Sequence, residues 1–388
     1  MKKILIWNTF ILHERSGGPS TYLHNLRKYT RSHNIENITY LNDSDAVPNK
    51  KPKIEPAKSI IPKLIRNSVR INQNLKKQLV RFQSPAKIAS QINVDEFDVI
   101  HFHNTIDLFQ AIPQLVNYKG KVILTSHTPM APHLEYIGEV LPLNLIRSKT
   151  RKAFQNLDEA AFKRADVLLF PAKEALEPYK NTWSKFESII SDKQIYYVPT
   201  GVHEPGISRS RNEVLTEMGI PLDAIVLCYA GRHNHVKGYD LLKAFGTEIL
   251  AKHPNCYFLI LGKEDPIQGL EHERWKEVGW TTDPFSYIRA SSMFILPNRE
   301  TYFDLILIEI LSLGKQCLLS RSGGNKHFIF LEKKGFNFFE TNNLNSMIEA
   351  FEAIDFKEDH STVLLETFEK GYTATKFGEG YMDFYESL

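Results

Sequence analysis

The sequence predicts an α/β protein with two parallel-sheet domains, and three observations support this class. First, residues 293–319 read as an apolar strand, a polar turn, an apolar helix and a second apolar strand. Such a strand–helix–strand unit is the building block of a parallel sheet. Second, apolar runs that end in loop residues recur on both sides of the loop 200–206. Third, 388 residues are too many for one small core and suit two domains.

The composition is that of an ordinary globular protein, with 42% hydrophobic and 24% charged residues. A net charge of +3 does not by itself indicate nucleic acid, and no nucleic-acid partner is expected. Cys228, Cys256 and Cys317 lie in or beside apolar runs, which predicts reduced core cysteines and a cytoplasmic compartment. No apolar run approaches the ~20 residues of a membrane span. The start lacks the small-residue cleavage site of a signal peptide, so none is expected.

Apolar runs predict the strands in both halves. They are residues 3–7, 38–41, 98–103, 121–127, 165–170, 195–199, 224–230, 256–262, 293–296 and 317–319. Helices are predicted from Ser20, over 150–164, from Tyr239 and over the last residues of the chain. The loop 200–206 is rich in Gly and Pro, which predicts a domain boundary.

One helix, over residues 305–313, is apolar on every side, which predicts full burial. Gly314 follows it, where a C′ glycine commonly ends a helix. Glu309 is the only charged side chain within it. A buried carboxylate without a partner is costly, so something is expected to bind it. An arginine or lysine of the core would serve, and so would water at a frayed helix face. A ligand that offers two hydroxyl groups, such as a nucleotide ribose, is the third possibility.

A second candidate site is the loop from Gly231 to Gly238, which joins a strand to the helix that starts at Tyr239. Arg232 and Lys237 in this loop, together with the helix N-terminus, suit a pyrophosphate. A basic surface loop is the alternative. Gly262, at the end of the next strand, would allow a close approach of the backbone.

Gly17 and Gly18 precede the first helix. Glycines at a helix N-terminus leave backbone N–H groups open to an anion, which the helix dipole also favours. The pair is equally typical of a plain turn and lacks the GxGxxG spacing of dinucleotide-binding folds. It is therefore a candidate phosphate contact, with the plain turn left open.

Residues 50–87 carry about eleven Lys or Arg and one acid, Glu55, with apolar residues interleaved. The spacing predicts one or two basic amphipathic helices. A solvated helix face is one interpretation. The other is attraction to anionic lipid headgroups or to an acceptor that bears phosphate, and hence peripheral membrane contact.

Two metal hypotheses follow from loop residues. Asp43 and Asp45 flank one residue after a strand and could hold a divalent metal, although turn residues explain them as well. His101, His103 and His127 end two strands and could form a zinc site, but no carboxylate or thiolate completes it. Sugar hydroxyls or phosphates suit these histidines better, and no metal is expected. A histidine that only forms hydrogen bonds with the backbone is the alternative for each.

Several motifs resemble retaining GT-B glycosyltransferases of family 4. The run 229–242 (YAGRHNHVKGYDLL) resembles the family's G-R-x4-K-G segment, and 307–314 (LIEILSLG) resembles its E-x7-E helix and following glycine. The run 198–202 (VPTGV) resembles its interdomain P-N-G-V turn. The remaining matches, in the family's order, are Gly17-Gly18, residues 98–101, 125–127 and 165–166.

The resemblance implies the GT-B fold, in which two Rossmann-like parallel-sheet domains face each other across a cleft. Residues 1–200 would form the acceptor-side domain and 201–370 the nucleotide-sugar domain. Residues 371–388 would form a terminal helix that crosses back to the first domain. The implied enzyme is a metal-independent, retaining hexosyltransferase without a cofactor. It would move a sugar from a nucleotide diphosphate, UDP favoured, to a glycan or lipid-linked acceptor, in bacterial surface polysaccharide, glycolipid or glycoprotein synthesis. It would work in the cytoplasm or on the inner face of the plasma membrane.

The resemblance also assigns roles to residues. Arg232 and Lys237 would hold the donor diphosphate and Glu309 its ribose, while His127 would lie near the transferred sugar, with His103 also on the acceptor side. His127, Arg232 and Lys237 form the expected catalytic group. The expected donor-binding residues are Gly17, Gly18, Gly231, Arg232, Lys237, Gly262, Thr301, Phe303, Asp304, Leu305 and Glu309.

The chain departs from the family at two positions. Thr301 stands where the first glutamate of the paired motif belongs, with Glu300 one residue earlier, and Asp304 replaces the glycine of a Phe-Gly pair. Both changes fall where the family contacts the sugar. Two other functions therefore stay open: a non-catalytic partner that supports another transferase, and a sugar-nucleotide epimerase.

Overall fold

A computed structural model describes residues 1–13, 18–44, 63–84, 91–137, 148–264 and 266–388, with only the helix backbone for 63–70. The chain divides into two compact units. The first comprises Met1–Phe170, Tyr179–Val198 and Gly378–Leu388, and the second comprises Pro171–Pro178 and Pro199–Phe377.

The short segment Pro171–Pro178 belongs to the second unit, although it falls within the range 1–200 expected for the first domain. Long-range contacts explain its place. The Glu177 carboxylate binds the Lys326 ammonium at 2.6 Å and accepts a hydrogen bond from the Gly323 backbone N–H at 3.2 Å. Local sequence patterns do not reveal contacts between residues so far apart, so the sequence placed this segment in the first domain.

The first unit is built on six parallel strands in the order β2-β1-β3-β4-β5-β6, and all six were predicted. The strands are β1 (Ile4–Trp7), β2 (Ile38–Tyr40), β3 (Val99–Phe102), β4 (Lys121–Leu124), β5 (Val167–Phe170) and β6 (Gln194–Tyr197). The helices, of which the sixth begins in the second unit, are α1 (Gly18–Ser32), α2 (Lys63–Phe82), α3 (Thr105–Ala111), α4 (Pro132–Ile137), α5 (Ser148–Arg164), α6 (Glu177–Thr182) and α7 (Phe186–Ile190). Strands β3 and β4 end before His103 and His127, so both histidines lie in the loops that follow.

The second unit has a sheet of six parallel strands in the order β12-β11-β10-β7-β8-β9. The strands are β7 (Ile225–Ala230), β8 (Cys256–Leu261), β9 (Trp275–Gly279), β10 (Met293–Leu296), β11 (Cys317–Ser320) and β12 (Phe336–Phe339). The helices, of which the last continues into the first unit, are α8 (Arg211–Glu217), α9 (Tyr239–Lys252), α10 (Pro284–Ala290), α11 (Leu305–Ser312), α12 (Leu344–Glu352), α13 (Ser361–Gly371) and α14 (Ala374–Ser387). Short 3-10 helices cover Val94–Glu96, Ile112–Leu115, Lys173–Leu176 and Gly323–Leu331.

The sequence did not predict the two edge strands of this sheet, β9 and β12. Strand β9 carries Lys276 and Glu277 and is only partly buried, so it lacks the continuous apolar run of the central strands. Strand β12 is apolar but only four residues long, and it follows directly on Gly335. Central strands were found because both of their faces are buried.

The basic segment 50–87 is only partly described, since residues 50–62 and 85–87 lie outside the described ranges. The predicted amphipathic helix is present as α2. Ile71, Leu79 and Phe82 pack around Leu75 against Phe154 of α5, while Lys76 and Lys77 are exposed. The described apolar face is thus part of the core of the unit. Within the described ranges, every helix is too short or too polar to cross a lipid bilayer.

The predicted terminal helix is α14, and its four aromatic side chains are all buried: Phe377, Tyr381, Phe384 and Tyr385. From Gly378 onward it belongs to the first unit. A Cβ atom on Gly378 would lie 2.1 Å from the Tyr29 ring, so only glycine allows this approach to α1. The hydroxyl groups of Tyr381 and Tyr22 lie 2.6 Å apart and join α14 to α1.

Candidate functional site

The loop of residues 231–238 joins β7 to α9 and carries both predicted cations. Its backbone is held at two points. The Tyr229 hydroxyl donates to the Arg232 carbonyl at 2.8 Å, and the Lys237 N–H donates to the Asn234 side chain at 2.9 Å. Hydrogen bonds inside the loop therefore fix the backbone from which both cations project.

Two glycines let this loop lie close to neighbouring strand ends. Gly238 has φ +67, and a Cβ atom there would lie 1.9 Å from the Pro297 carbonyl oxygen, just after β10. Gly262 has φ +130, and its Cβ atom would lie 1.9 Å from the carbonyl oxygen of Gly231. Side chains would be strained and would clash at both positions. Gly231, Gly238 and Gly262 therefore bring the carboxyl ends of β7, β8 and β10 together.

Lys237 is not a free cation in this structure. Its ammonium donates to Asp304 at 2.7 Å, and the Asn298 amide donates to the same carboxylate oxygen. The Lys237 and Asp304 side chains are 21% and 19% exposed. Arg232 is exposed and makes no hydrogen bond or ion pair through its guanidinium with the residues that the structure describes. The sequence predicted the two cations of the loop 231–238. It predicted neither the ion pair with Asp304 nor the hydrogen bond from Asn298.

Helix α11 begins after Asp304 and ends as predicted, with Gly314 at φ +59. The prediction of full burial was wrong for its first turn, where Leu305 and Ile306 are only half-buried. It was also wrong for Glu309, which is half-buried, so water at this helix face stays an alternative to a ligand. Asp304 is the N-cap residue, yet its side chain makes no capping hydrogen bond. The first-turn N–H groups of α11 are thus left without a side-chain cap, in a turn that is partly open.

Glu309 lies one turn after Leu305 on the same helix face. Among the residues that the structure describes, no side chain or backbone group forms a hydrogen bond or ion pair with its carboxylate. Burial raises the pKa of Glu309 to about 7, since the charged form loses hydration. The alternative of an arginine or lysine partner therefore finds no support in the described part of the chain.

Two of the predicted sugar contacts are core residues. Thr301 is fully buried, and its hydroxyl has no hydrogen-bond partner among the described groups. The Phe303 ring is 7% exposed and packs on His327 and Phe328, with ring centroids 5.5 and 5.7 Å away. Their side chains serve packing, which leaves the backbone of this stretch as the candidate donor contact.

Three histidines of the first unit form a stacked group. His103 Nδ1 and His127 Nε2 lie 3.1 Å apart, and His101 stacks on His103 at 4.2 Å. His101 uses both ring nitrogens, toward the hydroxyls of Tyr385 and Thr125, each at 2.8 Å. No nitrogen of His101 is left for zinc. Burial lowers the pKa of all three, that of His127 to about 3, so these rings are neutral at pH 7.

His103 and His127 border a cavity of about 1190 Å³ within the first unit. Its charged lining residues are Arg81 at the end of α2, Asp107 on α3 and Glu135 on α4. The sequence analysis singled out the histidines because they follow strands. It missed the other three, since nothing local in the sequence indicates that α2, α3 and α4 meet at one cavity.

The remaining loop predictions have mixed outcomes. Gly17 lies outside the described residues, and Gly18 begins α1 with open space where a Cβ atom would lie. Asp45 also lies outside them. Asp43 pairs with Arg27 at 3.2 Å and Arg31 at 2.9 Å, so arginines already neutralise this carboxylate.

One group among the described residues could hold a metal ion, and the sequence analysis did not foresee it. The ligand atoms of His233, Glu264 and Glu277 lie within 4.8 Å of one another. Burial lowers the pKa of His233 to about 4, so its ring is neutral at pH 7. The Glu277 carboxylate already accepts hydrogen bonds from Tyr239 and Trp275 at 2.7 and 2.8 Å. Metal independence therefore stays a prediction.

Sequence comparison finds two family profiles in the chain. Residues 16–204 match the profile described as Glycosyltransferase Family 4. Residues 224–354 match the profile described as Glycosyl transferases group 1. Together the two matches span most of the sequence, and each covers much of one unit.

Several characterised proteins are similar in sequence. The lipopolysaccharide 1,2-N-acetylglucosaminetransferase of Salmonella typhimurium is 23% identical over 294 residues, which is 70% of this chain and 68% of that protein. A D-inositol 3-phosphate glycosyltransferase of Acidothermus cellulolyticus is 25% identical over 37% of this chain and 38% of its own length. An Escherichia coli UDP-Gal:alpha-D-GlcNAc-diphosphoundecaprenol alpha-1,3-galactosyltransferase is 28% identical over 25% of this chain and 27% of its own. The last two matches cover well under half of either protein.

Solved structures show the same fold over the full chain. Sucrose-phosphate synthase from Thermosynechococcus elongatus has a TM-score of 0.66 at 16% identity, with 100% of both chains covered. Anabaena HepE, solved in complex with UDP-glucose, has a TM-score of 0.62 at 14% identity and the same coverage. These relatives have the GT-B fold. From the family profiles, the two parallel sheets and these structural relatives, the chain belongs to the group 1 glycosyltransferases of family 4 and is a glycosyltransferase with the GT-B fold.

Proposed function

We propose that this glycosyltransferase moves a sugar from a nucleotide diphosphate, with UDP favoured, to a hydroxyl group of a glycan or lipid-linked acceptor. We further propose that it retains the anomeric configuration and needs no metal. The names of the Salmonella and Escherichia coli relatives favour a product of the bacterial surface, either a polysaccharide or a glycolipid. The complex of HepE with UDP-glucose favours a UDP-sugar donor.

The observation that carries the proposal is the unpartnered carboxylate of Glu309. Glu309 is half-buried, and a carboxylate that has lost part of its hydration needs hydrogen-bond donors. Two vicinal ribose hydroxyls supply a pair of donors that one carboxylate accepts together. Because Glu309 follows the partly open first turn of α11, the ribose would reach it from the end of the helix that is not capped by a side chain.

The loop of residues 231–238 supplies the chemistry in this proposal. Transfer breaks the bond between the anomeric carbon and the diphosphate oxygen, and the electron pair stays on the diphosphate. Lys237 and Arg232 would stabilise this developing charge, as fixed cations and N–H groups do in other transferases. The first turn of α11 would add backbone N–H groups. A divalent metal would then not be required for the leaving group.

Retention would follow if the acceptor attacks from the face that the diphosphate leaves. In that arrangement the departing phosphate oxygen takes the proton of the acceptor hydroxyl as the new glycosidic bond forms. No protein base is then required on the opposite face. The neutral rings of His103 and His127 suit hydrogen bonds to sugar hydroxyls, and the cavity beside them is the candidate acceptor site.

Peripheral membrane contact through residues 50–87 is also proposed, on the exposed lysines of α2. Replacing Lys76 and Lys77 with glutamine should weaken binding to vesicles that contain phosphatidylglycerol by about 1 kcal/mol for each charge. Co-sedimentation measures this, with Lys333→Gln and Lys334→Gln, two exposed lysines of the second unit, as the control pair. If the unaltered protein binds anionic vesicles no more tightly than phosphatidylcholine vesicles, the proposal of membrane contact is wrong.

A panel of UDP-, GDP-, ADP- and dTDP-sugars tests the enzymatic proposal. Released nucleotide is measured without an acceptor, because a transferase slowly hydrolyses its donor under that condition. We expect slow release with one UDP-sugar and none with the other bases. A non-catalytic partner would bind a nucleotide in a parallel titration and release nothing from any donor. An epimerase would convert the sugar without releasing nucleotide.

A further inference from the structure

The candidate diphosphate site of the second unit already contains an anion that belongs to the protein. The Asp304 carboxylate accepts hydrogen bonds from the Lys237 ammonium, at 2.7 Å, and from the Asn298 amide, through the same oxygen. Asn298 is fully buried, so packing fixes the position of its amide. Asp304 is thus held by two donors of the kind that bind a phosphate oxygen.

The conformation of Asp304 is unusual for its place in the helix. An aspartate at an N-cap commonly accepts a hydrogen bond from a first-turn N–H of its own helix. Asp304 has the extended backbone of an N-cap, with φ −69 and ψ 124, but makes no such bond. The side chain contacts Lys237 instead, 67 residues earlier in the sequence. The first-turn N–H groups of α11 therefore have no side-chain cap and could donate to the Asp304 carboxylate if it left Lys237.

Resting on the proposed function, we propose that Asp304 is a specificity-determining residue of the donor site. In the free protein its carboxylate takes the place of a phosphate on Lys237. Binding of the donor exchanges this carboxylate for a diphosphate oxygen. The released carboxylate then accepts hydrogen bonds from hydroxyl groups of the donor sugar or from the first turn of α11.

Three consequences follow from this exchange. A nucleotide diphosphate without a sugar must displace Asp304 and offers no hydroxyl groups of a sugar in return, so it binds weakly. After transfer, Asp304 can pair with Lys237 again and displace the spent nucleotide, which favours product release. A donor sugar that carries a carboxylate would add a further negative charge beside Asp304, and like charges at such distances repel. The site would therefore prefer neutral sugars.

Isothermal titration of five proteins with UDP, UDP-glucose and UDP-glucuronate tests the proposal. They are the unaltered chain, Asp304→Asn, Lys237→Ala, the double variant, and Asp283→Asn as the control. Asp283 is also an N-cap aspartate and also binds a cation, Arg209 at 2.9 Å, so its variant matches the change in charge and fold position. Asp304→Ser, which keeps an N-cap side chain, is the second variant if Asp304→Asn does not fold.

We expect Asp304→Asn to bind UDP about fivefold more tightly, because an ion pair of this exposure is worth about 1 kcal/mol. The gain should be absent in the Lys237→Ala background, and Asp283→Asn should bind UDP as the unaltered chain does. The preference for UDP-glucose over UDP-glucuronate should narrow in Asp304→Asn.

Two results overturn the inference and leave the proposed function intact. One is a UDP affinity that is unchanged or weaker in Asp304→Asn while Lys237→Ala still weakens it. The other is that Asp304→Asn increases the affinity for UDP equally in the unaltered and the Lys237→Ala backgrounds. The Asp304 carboxylate would then act through a group other than Lys237. If Lys237→Ala itself leaves the affinities for UDP, UDP-glucose and UDP-glucuronate unchanged, the proposed diphosphate site is wrong and the inference fails with it.

Discussion

Replacing Lys237 with alanine is expected to lower turnover by about a hundred- to a thousandfold and to leave the fold intact. Lys237 is the partly buried cation of the 231–238 loop, and its charge would act on the diphosphate as the glycosidic bond breaks. Removing one fixed donor from a site where negative charge develops costs about 3–4 kcal/mol in other enzymes. Nucleotide release with the best donor of the panel measures the effect.

A matched variant separates this role from general effects of charge. Lys252 lies on α9, the helix that follows the loop, but at its far end, where it is 51% exposed. Lys252→Ala should have the turnover of the unaltered protein. The two variants, Lys252→Ala and Lys237→Ala, should have the same melting temperature. Turnover of Lys237→Ala close to that of the unaltered protein would remove this residue from the diphosphate site.

Replacing Glu309 with glutamine is expected to weaken nucleotide binding by about 1–3 kcal/mol, the magnitude of a lost charged hydrogen bond. The effect should depend on pH, because burial raises the pKa of Glu309 to about 7. The ionised carboxylate accepts hydrogen bonds from ribose, so affinity of the unaltered protein should rise from pH 6 to pH 8. Glu309→Gln should show a flat profile across this range.

The same carboxylate predicts an opposite trend for stability of the free protein. Its pKa is about 7 when folded and about 4.5 when unfolded, so the folded state binds more protons between these values. Stability from this group therefore falls as pH rises through that window. Glu309→Gln should melt at a higher temperature than the unaltered protein at pH 8 and nearly equally at pH 4.5. Glu349→Gln, at an exposed site on α12, serves as the control. An unchanged affinity in Glu309→Gln would mean that the carboxylate does not bind the nucleotide.

Features that depend on neighbouring residues were predictable from the sequence. Strand β10, helix α11 and strand β11 follow from two apolar runs, an apolar helix and Gly314. Glu309 stood out because a single charge in an apolar helix is a local property of the sequence. Its role toward a ligand stays a prediction.

Features that depend on distant residues were not predictable. Lys237 and Asp304 are far apart in the sequence, which predicted a diphosphate contact for the first and a sugar contact for the second. The structure pairs them at 2.7 Å. Likewise, Thr301 and Phe303 lie in a polar turn of the sequence, which indicates an exposed loop. Their burial follows from packing against Gly323 and Phe328, residues of a later segment.

A crystal structure with an unreactive UDP-sugar bound tests the central claim most directly. The account predicts diphosphate oxygens within about 3 Å of Lys237 Nζ and of the Arg232 guanidinium. It also predicts both ribose hydroxyls in hydrogen-bond contact with Glu309, and Asp304 no longer paired with Lys237. A nucleotide bound elsewhere in the second unit, with Glu309 not in contact with its ribose, would contradict the account.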